Sequence, residues 1–310
     1  MAIELTYCVV NTEQRQLLRY CLDSIARERA AVPFETEVLV LDNASRDGSA
    51  GAARAHGATT DVIALEQRRG KGENDTTLLR RARGRYALLL NEASELEPGA
   101  TMALHEALDA RPEAAVAGAK LVSHGGVQQP SAWRFPSPAS ALLTALWLHR
   151  RFVVQSRGAR VREVDWVQSA ALLVRCEAAD AIGYFDPAFF VYSDEVDFCK
   201  RLRDAGSSAI YVPDASAVSH ERPLEGGLQR IVELSRNRDR YMLKHHSTAA
   251  ARAVRWLTAW TYSMRALAAL FLPGHEAGRY ARHAAATLVP GRGEGMAERA
   301  ADYNRGGPRL

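Results

Sequence analysis

The stretch Glu37-Val38-Leu39-Val40-Leu41-Asp42-Asn43-Ala44-Ser45-Arg46-Asp47-Gly48-Ser49 passes from a β-rich run straight into turn chemistry. Unbroken Val and Leu suit a buried strand, and the Asp, Asn, Ser and Gly that follow suit the loop that ends it. Residues 4–10 form a second short β-rich run. Between the two, Leu17, Leu18, Cys21, Leu22 and Ile25 recur at helical spacing. Strand, helix, strand is the opening of an α/β sheet of the nucleotide-binding kind, in which ligands sit beyond the carboxyl ends of the strands.

The pattern continues outward from there. A small-residue helix is expected over 50–56, a strand over 62–65 and a helix over 76–83, ended by Gly84 as its C-cap. Residues 86–90 are a continuous apolar run, as in a central strand buried on both faces. A helix with Pro98 in its first turn follows over 98–110. Residues 123–138 turn to Gly, Gln, Ser and Pro and read as a long loop over a site. Residues 164–174 are strand-like, and 209–213 and 217–220 add two short edge pieces. From about 224 to 272 the chain reads as helical, and from Gly291 as a loose tail rich in Gly and Arg. The predicted organisation is an α/β domain over 1–223 with halves at about 1–122 and 123–223, a helical extension over 224–290, and a flexible tail over 291–310.

The 310 residues, 47% hydrophobic and 25% charged, are enough for one large globular domain with an extension. The net charge of +4 is mild but uneven. Basic residues crowd 68–85 and the region beyond 222, which suits an anionic ligand or surface. Aromatics do not interleave with the basic loop, so nucleic acid is set aside as a partner. Cys8, Cys21, Cys176 and Cys199 show no metal or redox spacing, and the N-terminus shows no signal peptide, so a reduced cytoplasmic location is expected. No apolar stretch is long enough to span a bilayer. Residues 256–273 come nearest and read as a buried or interfacial helix.

Several clusters carry candidate chemistry. In Phe185-Asp186-Pro187-Ala188-Phe189-Phe190-Val191-Tyr192-Ser193-Asp194-Glu195-Val196-Asp197-Phe198, three acids fall within four residues. They suit a helix start, where the positive end of the helix favours carboxylates. Apolar neighbours also suit a general base, whose pKa partial desolvation raises toward neutrality. Asp42 at a strand end can bind a ribose or base, or simply close its own turn. Asn91, Glu92 and Glu95 follow residues 86–90 in the same topological position. Arg69, Lys71 and Asn74 lie in a Gly-punctuated loop that reads equally as a phosphate contact or a solvated basic turn. Arg236, Arg238, Arg240, Lys244, His245 and His246 share one helix and suit either a diphosphate or a solvated face. Trp256, Trp260, Tyr262 and Phe271 among Arg252, Arg255 and Arg265 suit a membrane-surface helix or helix–helix packing.

Taken in order, the segment over 38–49, Arg83-Gly84-Arg85-Tyr86-Ala87-Leu88-Leu89-Leu90-Asn91, Val164-Asp165-Trp166-Val167, Gly183-Tyr184-Phe185-Asp186, residues 189–202, and Tyr211-Val212-Pro213 on to His220 resemble the family 2 glycosyltransferases of the GT-A fold, in their bacterial rhamnosyltransferase-like branch. The resemblance covers about residues 4–246. It implies a mixed sheet flanked by helices and an inverting transfer of a sugar from a nucleotide-sugar donor to an acceptor hydroxyl in cell-surface glycan assembly. Glu195 falls at the family's catalytic base, with Asp194 as a supporting acid. Asp42 and Asn43 would hold the base or ribose beside Asn11, Thr12 and Glu13. Arg69, Lys71 and Asn74 would lie near the donor with Asn91, and Trp166 would form a shelf beneath the sugar, unless it is core. The implied donor is dTDP-rhamnose or a UDP-sugar, and the implied acceptor is a glycan or lipid-linked glycan. Peripheral contact with the inner face of the cell membrane and a homo-oligomer stay open as partners.

The sequence departs from the family at two points. Where members carry a metal-binding Asp, this chain has Ala93, which cannot ligate the divalent cation (Mg or Mn) expected on the donor diphosphate. His220 matches a distal histidine that assists at the metal, and Glu92 or Glu95 can substitute for the missing acid. Charge neutralisation by Arg69 and Lys71, metal binding through the diphosphate, and a catalytically silent domain that binds nucleotide sugar or a partner are the alternatives. The second departure is the order Asp194-Glu195 in place of Glu-Asp. Glu reaches about one methylene further than Asp, so the base would have to be set back slightly.

Overall fold

A computed structural model describes residues 2–220, 227–272 and 274–306. The chain begins β1 (Leu5–Asn11), α1 (Arg15–Ala31), β2 (Thr36–Asp42), α2 (Ser49–Ala55), β3 (Asp61–Ala64), α3 (Lys71–Arg81), β4 (Tyr86–Asn91), β5 (Ser94–Leu96), α4 (Ala100–Asp109) and β6 (Ala114–Val122). It continues β7 (Gln128–Gln129), β8 (Ala132–Trp133), α5 (Pro138–Ala145), α6 (His149–Phe152), β9 (Arg162–Val164), β10 (Trp166–Val167), β11 (Ala171–Arg175), α7 (Cys176–Ala181), α8 (Asp194–Asp204) and β12 (Ser208–Ser219). The helices α9 (Leu228–His245), α10 (Thr248–Ala268), α11 (Ala277–Leu288) and α12 (Met296–Asn304) complete it. Two compact units result. One holds residues up to 133, 155–188 and α8 through β12; the other holds 134–154, 189–193 and α9 to α12.

The first unit is built on one sheet in the order β3-β2-β1-β4-β11-β6-β12-β5, with β7 beside β6 and β9 beside β12. β1, β2, β3 and β4 run parallel, and β12 runs parallel to β6, while β11 enters antiparallel between β4 and β6. Every residue of β1 is buried, because helices cover both faces of the parallel strands. Successive strands step outward from β1 to β2 and β3, and β4 then returns to the other side of β1. The strand order therefore reverses between β1 and β4, and the reversal opens a crevice at their carboxyl ends. Asn11 and Asp42 face each other in register there, with Asn91 opposite Val10.

Buried polar links fix this scaffold. Glu37 on β2 accepts from the Arg83 backbone and guanidinium and from Thr6 Oγ1. Gly84 is required for a reason other than the cap expected of it. A Cβ there would lie 2.7 Å from the backbone nitrogen of Thr6, so only glycine lets the α3–β4 turn touch β1. Glu28 on α1 caps α4 from outside, since its Oε1 and Oε2 accept from the backbone amides of Gly99 and Thr101 at 2.8 and 2.7 Å.

Several elements depart from expectation. α3 begins at Lys71, five residues before the predicted helix, so Lys71 and Asn74 lie in its first turn and not in a loop. Gly72 reads as a breaker in sequence, yet it is helical. The stretch over 164–174 divides among β9, β10 and β11, which pair with different neighbours. The two expected edge pieces are one strand, β12, interrupted between Val212 and Ser216 and paired on both sides. Within the predicted loop over 123–138, β7 and β8 form short pairings.

In the second unit α10 packs against α5, α9 and α11. Arg255 on α10 grips Asp239 on α9 through both carboxylate oxygens, at 2.7 and 2.8 Å. Residues 296–304, expected within a loose tail, form α12, held to α9 by Arg236–Glu298 at 2.6 Å. The boundary expected at 223/224 lies outside the described residues. No helix among the described residues is long and apolar enough to cross a membrane.

Replacing Glu28 with Ala leaves two amides at the α4 N-terminus without their acceptor. Urea denaturation of Glu28→Ala is expected to show a loss of about 2–3 kcal/mol with an unchanged m-value; a loss under about 0.5 kcal/mol would show that water replaces the carboxylate freely.

Candidate active site

Two polar groups occupy the crevice side of the first unit. The first is a cradle made by the loops that leave β1 and β2. Asn11 Nδ2 donates to Asp42 Oδ1 at 2.8 Å, and the other Asp42 oxygen accepts from the Ser45 amide at 3.0 Å. Ser45 Oγ accepts in turn from the Glu13 amide, and Glu13 accepts from the Arg46 amide and from Arg68 Nη2 at 2.6 Å. Asn43 acts like a piece of strand. Its Oδ1 accepts from the Arg69 amide at 2.9 Å, and its Nδ2 donates to the Arg69 carbonyl and to Thr12 Oγ1. Asn11, Thr12, Glu13, Asp42, Asn43 and Arg69 are thus gathered into one network, with the Asp42 carboxylate engaged inside it and Asn11 Oδ1 buried without a partner among the described residues.

The second group lies where α3 begins. Its first turn meets the first turn of α8, and Gly72 eases the approach. A Cβ at Gly72 would sit 3.1 Å from Phe185 Cβ and 3.5 Å from Asp194 Cβ. Phe185 stacks on Phe198 of α8 with ring centroids 4.2 Å apart. Arg201 bonds Asp197 on its own helix and the carbonyls of Ile182 and Tyr184. These contacts carry the Asp194–Glu195 turn against Lys71, Asn74 and Asp75. The backbone entering α8 is strained, since Tyr192 and Ser193 both adopt left-handed φ of 65° and 61°.

This cluster is buried and under-satisfied. Asp194 and Asn74 are fully buried, and Asp75 is 1% exposed. Among the described residues no group donates to either oxygen of Asp194, to Asp75 Oδ1 or to Glu195 Oε2, and both amide atoms of Asn74 are without a partner. The Glu195 carboxyl is within hydrogen-bonding reach of Asp194 once one of the two is protonated. Lys71 Nζ lies 2.5 Å from Asp75 Oδ2. Burial pushes the Asp194 carboxyl well above its ordinary pKa, the neighbouring Glu195 pushes it further, and Lys71 opposes both. Burial also raises Asp75 against the pull of Lys71. Burial disfavours the Lys71 charge, but Asp75, Asp194 and Glu195 outweigh it and keep the ammonium protonated. Three carboxyls around one ammonium, with hydrogen-bonding atoms left over, make a site prepared for a polar ligand.

The remaining candidates fall elsewhere. Asn91 accepts from Ser94 Oγ, and the Glu92 amide donates to the Val10 carbonyl. His220 Nε2 lies 3.2 Å from Glu95 Oε2, and Glu95 also pairs with Arg27. His220 is therefore a part-buried histidine with a carboxylate partner. Trp166 stacks on Trp133 at 4.5 Å in the small β8–β10 sheet, and both rings are partly exposed. The basic residues of α9 are engaged within the second unit, Arg236 with Glu298, Arg238 with Thr287 and Arg240 with Asn237. Asp75 and Gly72 escaped the sequence reading. The i,i+4 spacing of Lys71 and Asp75 was the available signal.

The implied divalent cation fits poorly. Ala93 offers a buried methyl, and its carbonyl accepts from the His220 amide. Among the described residues no group of three or more His, Cys, Asp or Glu side chains is placed to hold a metal. Glu95 and His220 are two donors already joined to each other, which falls short of the oxygen-rich shell a hard cation takes.

Residues 7–168, just over half of the chain, match the model of Glycosyl transferase family 2. A curated relative, the N-acetylglucosaminyl-diphospho-decaprenol L-rhamnosyltransferase of Mycobacterium tuberculosis, is 28% identical over 64% of this chain and 69% of its own. A mannosyltransferase of Pyrobaculum calidifontis, solved with GDP-Man and Mn2+, superposes with a TM-score of 0.58 at 16% identity, covering 98% of this chain and 88% of that one. Residues 1–349 of S. aureus TarS, solved with UDP-GlcNAc, give a TM-score of 0.53 at 12% identity over 99% of this chain and 93% of that one. The chain spans 46% of the longer TarS chain. These likenesses show a GT-A glycosyltransferase fold, a mixed sheet flanked by helices with further helices after it.

The raised pKa of Asp194 has a stability consequence. The folded chain holds that proton more tightly than the unfolded chain, so its stabilising contribution is complete below the unfolded pKa of about 3.9 and is lost as pH rises toward the folded pKa. Asn cannot ionise. Asp194→Asn is expected to melt above the wild type at neutral pH, with an advantage that widens from pH 5 to pH 8. Parallel melting curves across that range would show that Asp194 does not carry the buried proton.

Proposed function

The chain belongs to glycosyl transferase family 2, and we propose that it moves a sugar, rhamnose first among the candidates, from a nucleotide-sugar donor to a hydroxyl of a lipid-linked glycan with inversion at the sugar carbon. The observation that carries this reading is the carboxyl pair at the first turn of α8, with Asp194 fully buried beside a part-buried Glu195 and no donor for either Asp194 oxygen or for Glu195 Oε2 among the described residues. The rhamnosyl donor and lipid-linked acceptor follow from the name of the M. tuberculosis relative. They also suit a peripheral protein at the inner membrane face in cell-surface glycan assembly.

In this reading Glu195 is the general base and takes the proton of the acceptor hydroxyl as its oxygen bonds to the anomeric carbon. The bond from that carbon to the diphosphate oxygen breaks, and the nucleoside diphosphate leaves on the opposite face. Asp194, protonated, hydrogen-bonds Glu195 and keeps the pair from carrying two adjacent charges. Lys71 balances the remaining negative charge, with Asp75 holding its ammonium in place. Asn74 offers a donor and an acceptor to sugar hydroxyls. Asn11, Thr12, Glu13, Asp42 and Asn43 shape the nucleoside cradle, and Trp166 stacks beneath the sugar. Arg69 meets the diphosphate. Its pairing with Glu73, at 3.5 Å between half-exposed groups, is of a kind worth at most about 1 kcal/mol and exchanges readily.

Glu195→Gln keeps the shape but removes the base. Turnover of a dTDP-rhamnose or UDP-sugar donor is expected to fall by about 10²–10⁴-fold while donor affinity holds within about threefold. Turnover near the wild-type level in that variant removes Glu195 from the role.

Ala93 favours a second reading, a domain that binds nucleotide sugar with little or no transfer. Calorimetric titration of UDP and dTDP with and without Mn2+ separates the two. The active reading expects donor turnover, while tight nucleotide binding with no turnover under either condition supports the silent domain. Ala93→Asp is expected to make nucleotide binding respond to Mn2+ by about tenfold or more, because it restores a hard oxygen ligand.

A further inference from the structure

Monomeric proteins rarely leave wide contiguous apolar surface in water, so a large exposed patch asks for a partner. Most of the large exposed apolar side chains of this chain fall in two segments of the second unit, residues 142–152 and 256–272. Trp256 is 67% exposed, Trp260 57% and Phe271 81%. On α10 and just past its end, Arg252, Trp256, Trp260, Leu267 and Phe271 recur at spacings of four and seven, which is one helical face. The opposite face, with Ala251, Val254 and Ala259, is buried. The second segment adjoins the first: α5 packs along α10, and the Arg265 guanidinium lies 5.5 Å over the ring of Trp147, itself 54% exposed.

The charge of these segments is one-sided. Residues 134–154 and 247–272 contain Arg134, Arg150, Arg151, Arg252, Arg255 and Arg265 and no Asp or Glu. Arg255 is paired with Asp239, whereas Arg150, Arg151 and Arg252 have no ion pair among the described residues. A second copy of the chain is a poor occupant. A two-fold contact sets the same patch against itself, so arginines would meet arginines with no acid between them. A bilayer span is also a poor fit, since no described helix is long and apolar enough. Tryptophan, leucine and phenylalanine on one face with arginine at its edges is the composition of a helix lying in the lipid interface.

We propose that the face formed by α5, α6 and α10 docks on an anionic phospholipid bilayer, with Trp147, Trp256, Trp260 and Phe271 entering the headgroup boundary and Arg150, Arg151 and Arg252 meeting lipid phosphates. The proposal gives a surface to the peripheral membrane location proposed above and rests on that part of the reading. Vesicle binding and sugar transfer to a soluble acceptor are read separately, so one can fail without the other.

The test uses the full chain with vesicles of pure phosphatidylcholine and with vesicles carrying about 30% phosphatidylglycerol. Co-sedimentation is expected to be about tenfold stronger with the anionic vesicles and to weaken in about 0.5 M salt, and tryptophan emission is expected to shift to the blue on binding. Trp256→Ser/Trp260→Ser/Phe271→Ser should lose about tenfold or more of that binding, and Arg150→Gln/Arg151→Gln/Arg252→Gln should lose the preference for anionic lipid. Both variants should keep the melting temperature and the turnover on a soluble acceptor. No vesicle binding, equal binding to both vesicles, or binding that survives both variants overturns the proposal. A dimer in sedimentation velocity that the aromatic variant dissolves, without vesicle binding, overturns it in favour of a second copy.

Discussion

The approach of α3 to α8 is the constraint on which the candidate site depends. A side chain at position 72 would bring its Cβ to 3.1 Å from Phe185 Cβ, so any residue but glycine asks Phe185 to give way by a few tenths of an ångström. The approach removes Asp75, Asn74 and Asp194 from water. Burial of a carboxyl without a partner costs stability unless the group takes up a proton or finds a counter-charge. Both remedies operate here: Asp194 is pushed toward its neutral form, and Lys71 stands beside Asp75. The Phe185–Phe198 stack and the Arg201 clamp hold α8 to the loop over 182–185, and the Phe185 amide ties that loop to Thr76 Oγ1 of α3 at 3.2 Å. Stability given up at one place and recovered in its surroundings is the usual arrangement at a working site.

The two polar groups of the crevice differ in how far they are satisfied, and the difference bears on what each can do. The cradle around Asp42 is nearly closed by its own hydrogen bonds, so its shape exists before any ligand arrives. A preformed cradle loses little entropy on binding and selects by fit. The cluster around Asp194 has atoms waiting for partners. A substrate hydroxyl entering it relieves a penalty already present in the free protein, so binding there is coupled to chemistry. Asn43 joins the two, because it fixes the Arg69 backbone immediately before Gly70 and the start of α3.

The sheet was legible wherever the hydrophobic pattern was local and unbroken. β1, β2 and β4 each stand within about two residues of their expected places, because burial on both faces leaves an uninterrupted apolar run. Legibility failed where a long-range contact overrode a local signal. Gly72 looks like a breaker until Phe185 and Asp194, more than a hundred residues away, supply the reason for it. Residues 209–213 and 217–220 read as two pieces in sequence, but pairing with β6 on one side and with β9 and β5 on the other carries β12 past the irregularity. The acid pair was visible as composition. Its partner Asp75 was not, because nothing in an isolated Lys-x-x-x-Asp distinguishes a buried pair from a solvated one.

Ala93 was also legible, and its consequence is a question of charge. A departing nucleoside diphosphate must be met by positive charge, and the chain offers three basic side chains on the segment that leads into α3. Arg68 is held by Glu13, Arg69 by Glu73 and Lys71 by Asp75. These pairs are not equivalent. The Lys71 pair sits against a fully buried acid, and pulling the ammonium away would leave that acid without its counter-charge, at a penalty of several kcal/mol. The Arg69 pair is half exposed on both sides and exchanges partners for about 1 kcal/mol or less. A diphosphate arriving at the Gly70 turn would therefore draw on Arg69 while Lys71 stays with the acids. Under the proposed function, this division places the neutraliser of the leaving group and the stabiliser of the base two residues apart, with Gly70 between them.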